Sequence, residues 1–256
     1  MPRATTTERS RPMKRTRNGI LIPDVPIMAG GNLPNAVKGV SGNSGEVAPN
    51  LLPFYIDVHT TLHLSATAGL EISQNAKDWR STATEILTAG RYYFRSNAGV
   101  APSFAATKPG VIITEGELYD VGGNLRSLAT YDFLFSEFGY KYADLFQGQN
   151  IVSAHQLYLP PQVQKFSYGG LFKNCVHLEF APDIFIYQVN DYQCANMFRG
   201  CTNLRYIKCT TDYYANCFET WVTGVAANGT FVKKRGVEWP TGVNGIPTGW
   251  TVEEVD

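Results

Sequence analysis

Three stretches decide the fold: residues 140–152 (YKYADLFQGQNIV), 166–178 (FSYGGLFKNCVHL) and 192–204 (YQCANMFRGCTNL). Aligned on Phe146, Phe172 and Phe198, they recur at a step of 26 residues. The column before the phenylalanine holds Leu145, Leu171 and Met197, and the column four before it holds Tyr142, Tyr168 and Cys194. An aromatic stands six before it each time (Tyr140, Phe166, Tyr192), and an aliphatic six after it (Val152, Leu178, Leu204). Two after come Gly148, Asn174 and Gly200, residue types that accept a left-handed backbone. Flanking columns that travel with the phenylalanine make an internal repeat of solenoid period. Such units bury their apolar side only against their neighbours, so each ring is expected to shelter under the next. A chain built this way is expected to present a surface and not to house a reaction.

Working outward, the 256-residue chain suits one large or two modest domains. Charged residues make up only 17%, while Gly, Pro and aromatics are plentiful, which favours strands and turns over long helices. Net charge is zero but unevenly placed: Arg3, Arg9, Arg11, Lys14, Arg15 and Arg17 face only Glu8 within residues 1–18, a local +5, and the remainder carries −5. No apolar h-region follows these cations, so a secretory signal is not expected, and no apolar run is long enough for membrane insertion.

Residues 1–46 read as an extended basic arm, rich in Arg, Thr, Pro, Gly and Asn, that orders only against a partner. From Phe54 to Leu64 apolar and polar residues alternate with a period of two, a strand with one buried face. Leu70, Ile72 and Trp79 suggest a second strand and a turn. The pair Ile86–Leu87, a turn at Ala89-Gly90 and the run Arg91–Arg95 read as a hairpin, and Val111–Thr114 as a further strand. Together these imply a small β-sandwich over residues 47–118. Residues 119–256 hold the repeats, opened by Tyr119–Leu128 and closed after Trp221 by Gly-, Pro- and Trp-bearing turns that suit a terminal cap.

The five cysteines, Cys175, Cys194, Cys201, Cys209 and Cys217, all lie in the repeat half. Four within 24 residues raise the question of zinc, but there is no CxxC pair and the spacing follows the repeat, which favours a ladder of small buried side chains. His59 and His63 share a strand face but stand about 13 Å apart at the rise of a strand, too far for one ion. His155 and His177 fall in different columns, with no Ser or Cys expected beside them as a nucleophile. No P-loop, dinucleotide loop or catalytic triad is visible, so neither enzymatic activity nor a cofactor is expected.

The run Asn196-Met-Phe-Arg-Gly-Cys-Thr-Asn-Leu204 resembles the M-F-x-G-C-T-x-L core of BspA-like leucine-rich repeats. Leu171–Leu178 and Leu145–Val152 are looser copies, the last without the cysteine. Val121–Leu128 is similar to the entry of such repeats, and Asn228–Lys233 with Gly245–Val252 to their C-terminal ending. Leu70–Trp79 with Ala89–Arg95 resembles the Ig-like domain that often precedes them in Bacteroidales surface proteins and phage virion proteins. The resemblance covers about residues 50–256 and, with the extended arm (1–46) read above, implies a mainly β or α+β chain: Ig-like β-sandwich (47–118), then a short solenoid with a C-terminal cap (119–256).

For function, the resemblance implies either a phage virion protein, such as a head fibre or capsid decoration protein, or a bacterial surface adhesin or interaction module. The basic arm suits the first, docking on capsid or other virion proteins during assembly in the host cytoplasm. An inert solvated tail and a nucleic-acid-seeking tail are the competing readings, though no aromatics interleave the six cations to stack on bases, so nucleic acid is not the expected partner. Tyr158, Tyr187, Tyr213 and Tyr214 are the candidates for contact with a host-surface glycan or protein, against the alternative that each packs within its rung. Fibres are commonly homo-oligomers, and one is expected here.

Overall fold

The alternating run that begins at Phe54 forms an eleven-residue strand, β1 (Phe54–Leu64). Its buried positions include Phe54, Ile56, Val58, Leu62 and Leu64, but the alternation is not strict: Thr60 is exposed, and Tyr55, on the face expected to meet solvent, is buried under β-sheet neighbours. The computed structural model describes residues 49–64, 69–96, 113–128 and 142–256, all within one unit, Glu46–Asp256. The arm and its cations Arg3, Arg9, Arg11, Lys14, Arg15 and Arg17 lie outside the described residues.

Among the described residues the chain is mainly β, with mixed sheets and almost no helix. After β1 come β2 (Leu70–Ser73), β3 (Arg80–Ser81), β4 (Glu85–Ser96), β5 (Ile113–Gly116), β6 (Tyr119–Asn124) and β7 (Ile151–Tyr158). These seven form one sheet in the order β3-β2-β4-β1-β6-β7, with β5 also paired to β1. The strands from residue 54 to 116 therefore lie in one sheet, and that sheet runs on past residue 118 through β6. β6 is the turning point: it pairs antiparallel with β1 and parallel with β7. Gly122 is required where β6 passes under Tyr55, since a β-carbon there would lie 2.3 Å from the Tyr55 ring.

The hairpin expected at Ala89-Gly90 is not formed. β4 continues through that pair, and β1 alongside it shifts register between Val58 and Thr61. Gly90 does take a backbone that L side chains avoid, φ 145°, but it serves an irregularity in the ladder and not a reversal.

Beyond β7 the parallel arrangement continues. Ser153, Phe180 and Tyr206 are bridged in turn, followed by β8 (Tyr206–Cys209), β9 (Thr230–Lys234) and β10 (Thr251–Val255), all parallel. Between β7 and β8 the chain makes only single bridges, at Phe180 and Ile184. Pro182, between them, has no N–H to donate, so no continuous strand forms there.

On the other side of the units the backbone alternates between two duties. The N–H groups of Tyr142, Asp144, Phe146 and Gly148 donate to Ser167, Gly169, Leu171 and Lys173 of the next unit, while those of Leu145, Gln147 and Gln149 close local turns on the residue three before. The pattern repeats from Tyr168 to Asn174 and from Tyr192 to Gly200. It depends on left-handed residues at fixed columns: Gly148, Asn174 and Gly200 have φ of 72°, 60° and 79°, and Asp144, Gly170 and Asn196 have 53°, 63° and 56°. Phe166 and Tyr192 also sit near 60°, which is costly for bulky side chains, and their rings stack at 5.0 Å and 8°.

The core is a column of rings. Phe54 stacks on Phe146 at 5.7 Å, Phe146 on Phe172 at 5.3 Å, and Phe172 on Phe198 at 5.8 Å, with Trp221 next at 5.8 Å. Fully burying each such side chain contributes roughly 1.5–3 kcal/mol. Trp221 continues the ladder as a fourth turn, since Phe198 and Gly200 donate to the carbonyls of Trp221 and Thr223. At the far end Phe218, Trp221, Phe231 and Trp239 pack together, and the Trp221 and Trp250 indoles donate to the Gly245 and Ala226 carbonyls.

Candidate interaction surface

The four tyrosines singled out from the sequence meet different fates. Tyr158 ends β7 half-buried, and burial raises its hydroxyl above the ordinary tyrosine range, with Tyr187 raising it further and Arg126 opposing. Tyr187 is 55% exposed and packs edge-on against Phe185, itself 44% exposed, at 5.0 Å and 73°. The segment that carries this pair is anchored from behind. Ile184 and Ile186 point into the core, the Ile186 N–H donates to Thr211 Oγ1 at 2.9 Å, and the Tyr187 N–H donates to the Pro161 carbonyl at 3.1 Å. Phe185 and Tyr187 thus make an exposed aromatic pair on a rigid support, with the half-buried Tyr158 close enough to Tyr187 to feel its charge. Large aromatics held this way contribute contact area at little entropic cost, the usual property of protein-interface anchors.

Tyr213 and Tyr214 are engaged elsewhere. Tyr213 lies half-buried against Phe218 (6.1 Å, 10°) and Trp239 (4.9 Å), within the aromatic cluster at the end of the ring column. The Tyr214 hydroxyl donates to Asp191 Oδ1 at 2.8 Å, and Lys165 Nζ lies 2.9 Å from the other oxygen of that carboxylate. Lys165, Tyr214 and Asn216, in that order, hold the Asp191 carboxyl down at about 2. This exposed brace ties three successive units together.

Charge runs across the strands in a similar way. Arg205 pairs with Glu179 and lies 5.1 Å from the Phe180 ring, and Lys208 pairs with Asp183 at 2.5 Å. Each pair joins neighbouring units, and being exposed or half-exposed each adds little to stability but fixes register.

The cysteines are all buried. Cys175 Sγ donates to the Phe146 carbonyl at 2.9 Å and Cys201 Sγ to the Phe172 carbonyl at 3.0 Å, so this column bonds each unit to the one before. Burial pushes the Cys175 and Cys209 thiols up to about 12. Among the described residues no group of three or more His, Cys, Asp or Glu side chains converges as a metal site. His59 and His63 are both exposed on β1, and His59 Nε2 lies 3.0 Å from Asp120 Oδ2.

One expectation is overturned at His155. A serine does stand beside it: Ser153 Oγ lies 2.7 Å from His155 Nδ1, because residues two apart on β7 share a face. His155 Nε2 meets the Gln156 amide at 3.0 Å and not a carboxylate, so the pair lacks the orienting acid of a triad.

The chain matches no protein-family profile, no curated protein and no solved structure. No helix among the described residues is long and apolar enough to cross a membrane. Phe185 is the functional candidate that sequence reading passes over. In Ile184-Phe185-Ile186-Tyr187 every residue is apolar or aromatic, so only the inward commitment of the two isoleucines, visible in three dimensions, assigns the rings to the outside.

Proposed function

We propose that the chain is a non-enzymatic phage virion structural protein, a head fibre or capsid decoration protein, that displays its repeat half for host-surface contact. In this reading residues 119–256 are a short BspA-like leucine-rich repeat solenoid with a C-terminal cap. Strands β1–β5 supply one sheet of the Ig-like part and close the first end of the stack. The arm, residues 1–46, anchors the protein on a capsid or other virion protein, favoured by its local +5 against a body of −5.

The observation that carries this reading is the ring column Phe54–Phe146–Phe172–Phe198–Trp221. A core assembled from stacked turns leaves elongated surfaces on either side, and such surfaces serve contact rather than enclosed chemistry. The patch of Tyr158, Phe185 and Tyr187 is the contact site we assign to a host-surface glycan or protein. Tyr213 and Tyr214 stand outside it, in the end cluster and the Asp191 brace.

The test is incorporation. Full-length chain is expected in purified particles by mass spectrometry, and a chain lacking residues 1–46 is expected to be absent from them while still folding. Normal incorporation of the shortened chain would refute the anchoring role. Recovery of the full chain on bacterial surfaces and not in particles would favour the adhesin reading instead.

A further inference from the structure

A groove of about 440 Å³ opens on the N-terminal sheet, between the loop joining β2 to β3 and the first half of β4. Its size is within the usual range for small-molecule sites, about 300–1,000 Å³. Trp79 and Ile86 supply apolar surface to it, and Gln74, Asn75, Asp78 and Glu85 supply polar groups. None of these residues belongs to the repeats or to the aromatic patch.

The groove is built and held. The Asn75 side-chain oxygen accepts from the N–H groups of Lys77 and Asp78 at 2.9 Å each and from the Ser73 hydroxyl at 3.0 Å, and its amide donates to Asp78 Oδ2 at 2.7 Å. Ser73 is itself 4% exposed, so the loop is fastened to the sheet. Arg80 closes the rim by a two-pronged pair with Glu85 at 2.7 and 2.6 Å. Trp79 is backed from outside the groove: the Arg95 guanidinium lies 4.2 Å from its ring centre, pinned by Glu71 at 2.7 Å, and Arg95 does not line the groove. The other three tryptophans, Trp221, Trp239 and Trp250, are buried, at 0%, 8% and 7% exposure. Trp79 alone is half-buried.

The geometry points to a binding site for a neutral saccharide. An indole stiffened on one side by a cation, beside an exposed aliphatic residue and a rim of amides and carboxylates, matches a ring with apolar C–H faces and hydroxyls on its edge. Arg80 and Glu85 compensate each other, which leaves Asp78 as the uncompensated charge among the lining residues and disfavours acidic sugars. The site stands apart from the Tyr158–Tyr187 patch, and its failure would leave the reading of that patch untouched.

The full chain would be titrated with lactose, maltose, cellobiose and diacetylchitobiose, with sialyllactose as the acidic control. Tryptophan emission and saturation-transfer NMR would be read together. At least one neutral disaccharide is expected to shift the emission with a dissociation constant on the order of millimolar. Trp79→Ala is expected to abolish both signals, Trp79→Phe to keep the saturation transfer, and Tyr187→Ala to change neither. Gln74→Ala alters an exposed side chain and is expected to weaken binding several-fold, which keeps the test decisive should Trp79→Ala fail to fold. No response from any of the four neutral sugars, or undiminished saturation transfer in folded Trp79→Ala or in Gln74→Ala, would overturn the proposal.

Discussion

The thiol of Cys201 donates to the backbone carbonyl of Phe172, in the preceding unit, at 3.0 Å. Cys175 does the same to Phe146, so the cysteine column bonds one unit to the one before it. Both thiols are fully buried, and burial raises both above their ordinary range. A thiol reagent at pH 8 is therefore expected to find no fast-reacting group in the native protein and five once it is denatured. One rapidly modified native thiol would contradict the structural role assigned to the column.

The ring column sets the stability. Phe172 is fully buried between Phe146 and Phe198, and Phe172→Ala is expected to cost about 3–5 kcal/mol in urea denaturation. Phe185→Ala removes a ring that is 44% exposed and is expected to change stability by no more than about 0.5 kcal/mol. Equal losses at the two sites would mean that Phe172 does not occupy the core.

Left-handed columns offer a test with its own control. Gly200 has φ 79°, and a β-carbon there would lie 2.3 Å from Asn174 Oδ1, whereas Gly236 has φ 74° with nothing within 4 Å. Gly236→Ala is expected to cost about 1–2 kcal/mol, the backbone penalty alone. Gly200→Ala is expected to cost measurably more, and combining it with Asn174→Gly should recover the excess, read as coupling in a double-mutant cycle.

What was legible in the sequence follows from periodicity. β1 is read from its alternation, and the phenylalanine column from its fixed step, because both patterns map one residue class to one side of the chain. The fourth turn is hidden because Trp221 follows Phe198 after 23 residues and not 26, and is not a phenylalanine. Ala89-Gly90 has the composition of a turn, yet pairing with the long strand β1 resumes on both sides of it, so the chain passes as an irregularity in the ladder and does not reverse, a tertiary constraint no local pattern carries. Tyr213 and Tyr214 are adjacent and chemically identical; only the neighbours, Trp239 for one and Asp191 for the other, separate their roles.

The Asp191 brace gives the chain an acid-side signature. Lys165, Tyr214 and Asn216 lower that carboxyl to about 2, below its unfolded value near 3.9. A depressed folded value means the brace stabilises above about pH 4 and is lost as pH falls toward 2. Asp191→Asn is expected to flatten the stability profile over that window, and the native Asp191 carboxyl carbon should titrate by NMR with its midpoint near 2. A midpoint at the unfolded value would show that the brace does not form.

The most direct measurement is of the rings themselves, by nuclear Overhauser contacts among selectively labelled phenylalanines in the folded chain. Phe172 is expected to show ring-to-ring contacts to both Phe146 and Phe198, whose centres lie 5.3 and 5.8 Å away. Phe146 and Phe198 should show none to each other, since Phe172 lies between them. Absence of both Phe172 contacts, or a direct contact between the outer two, would contradict the stacked core on which the proposed display function rests.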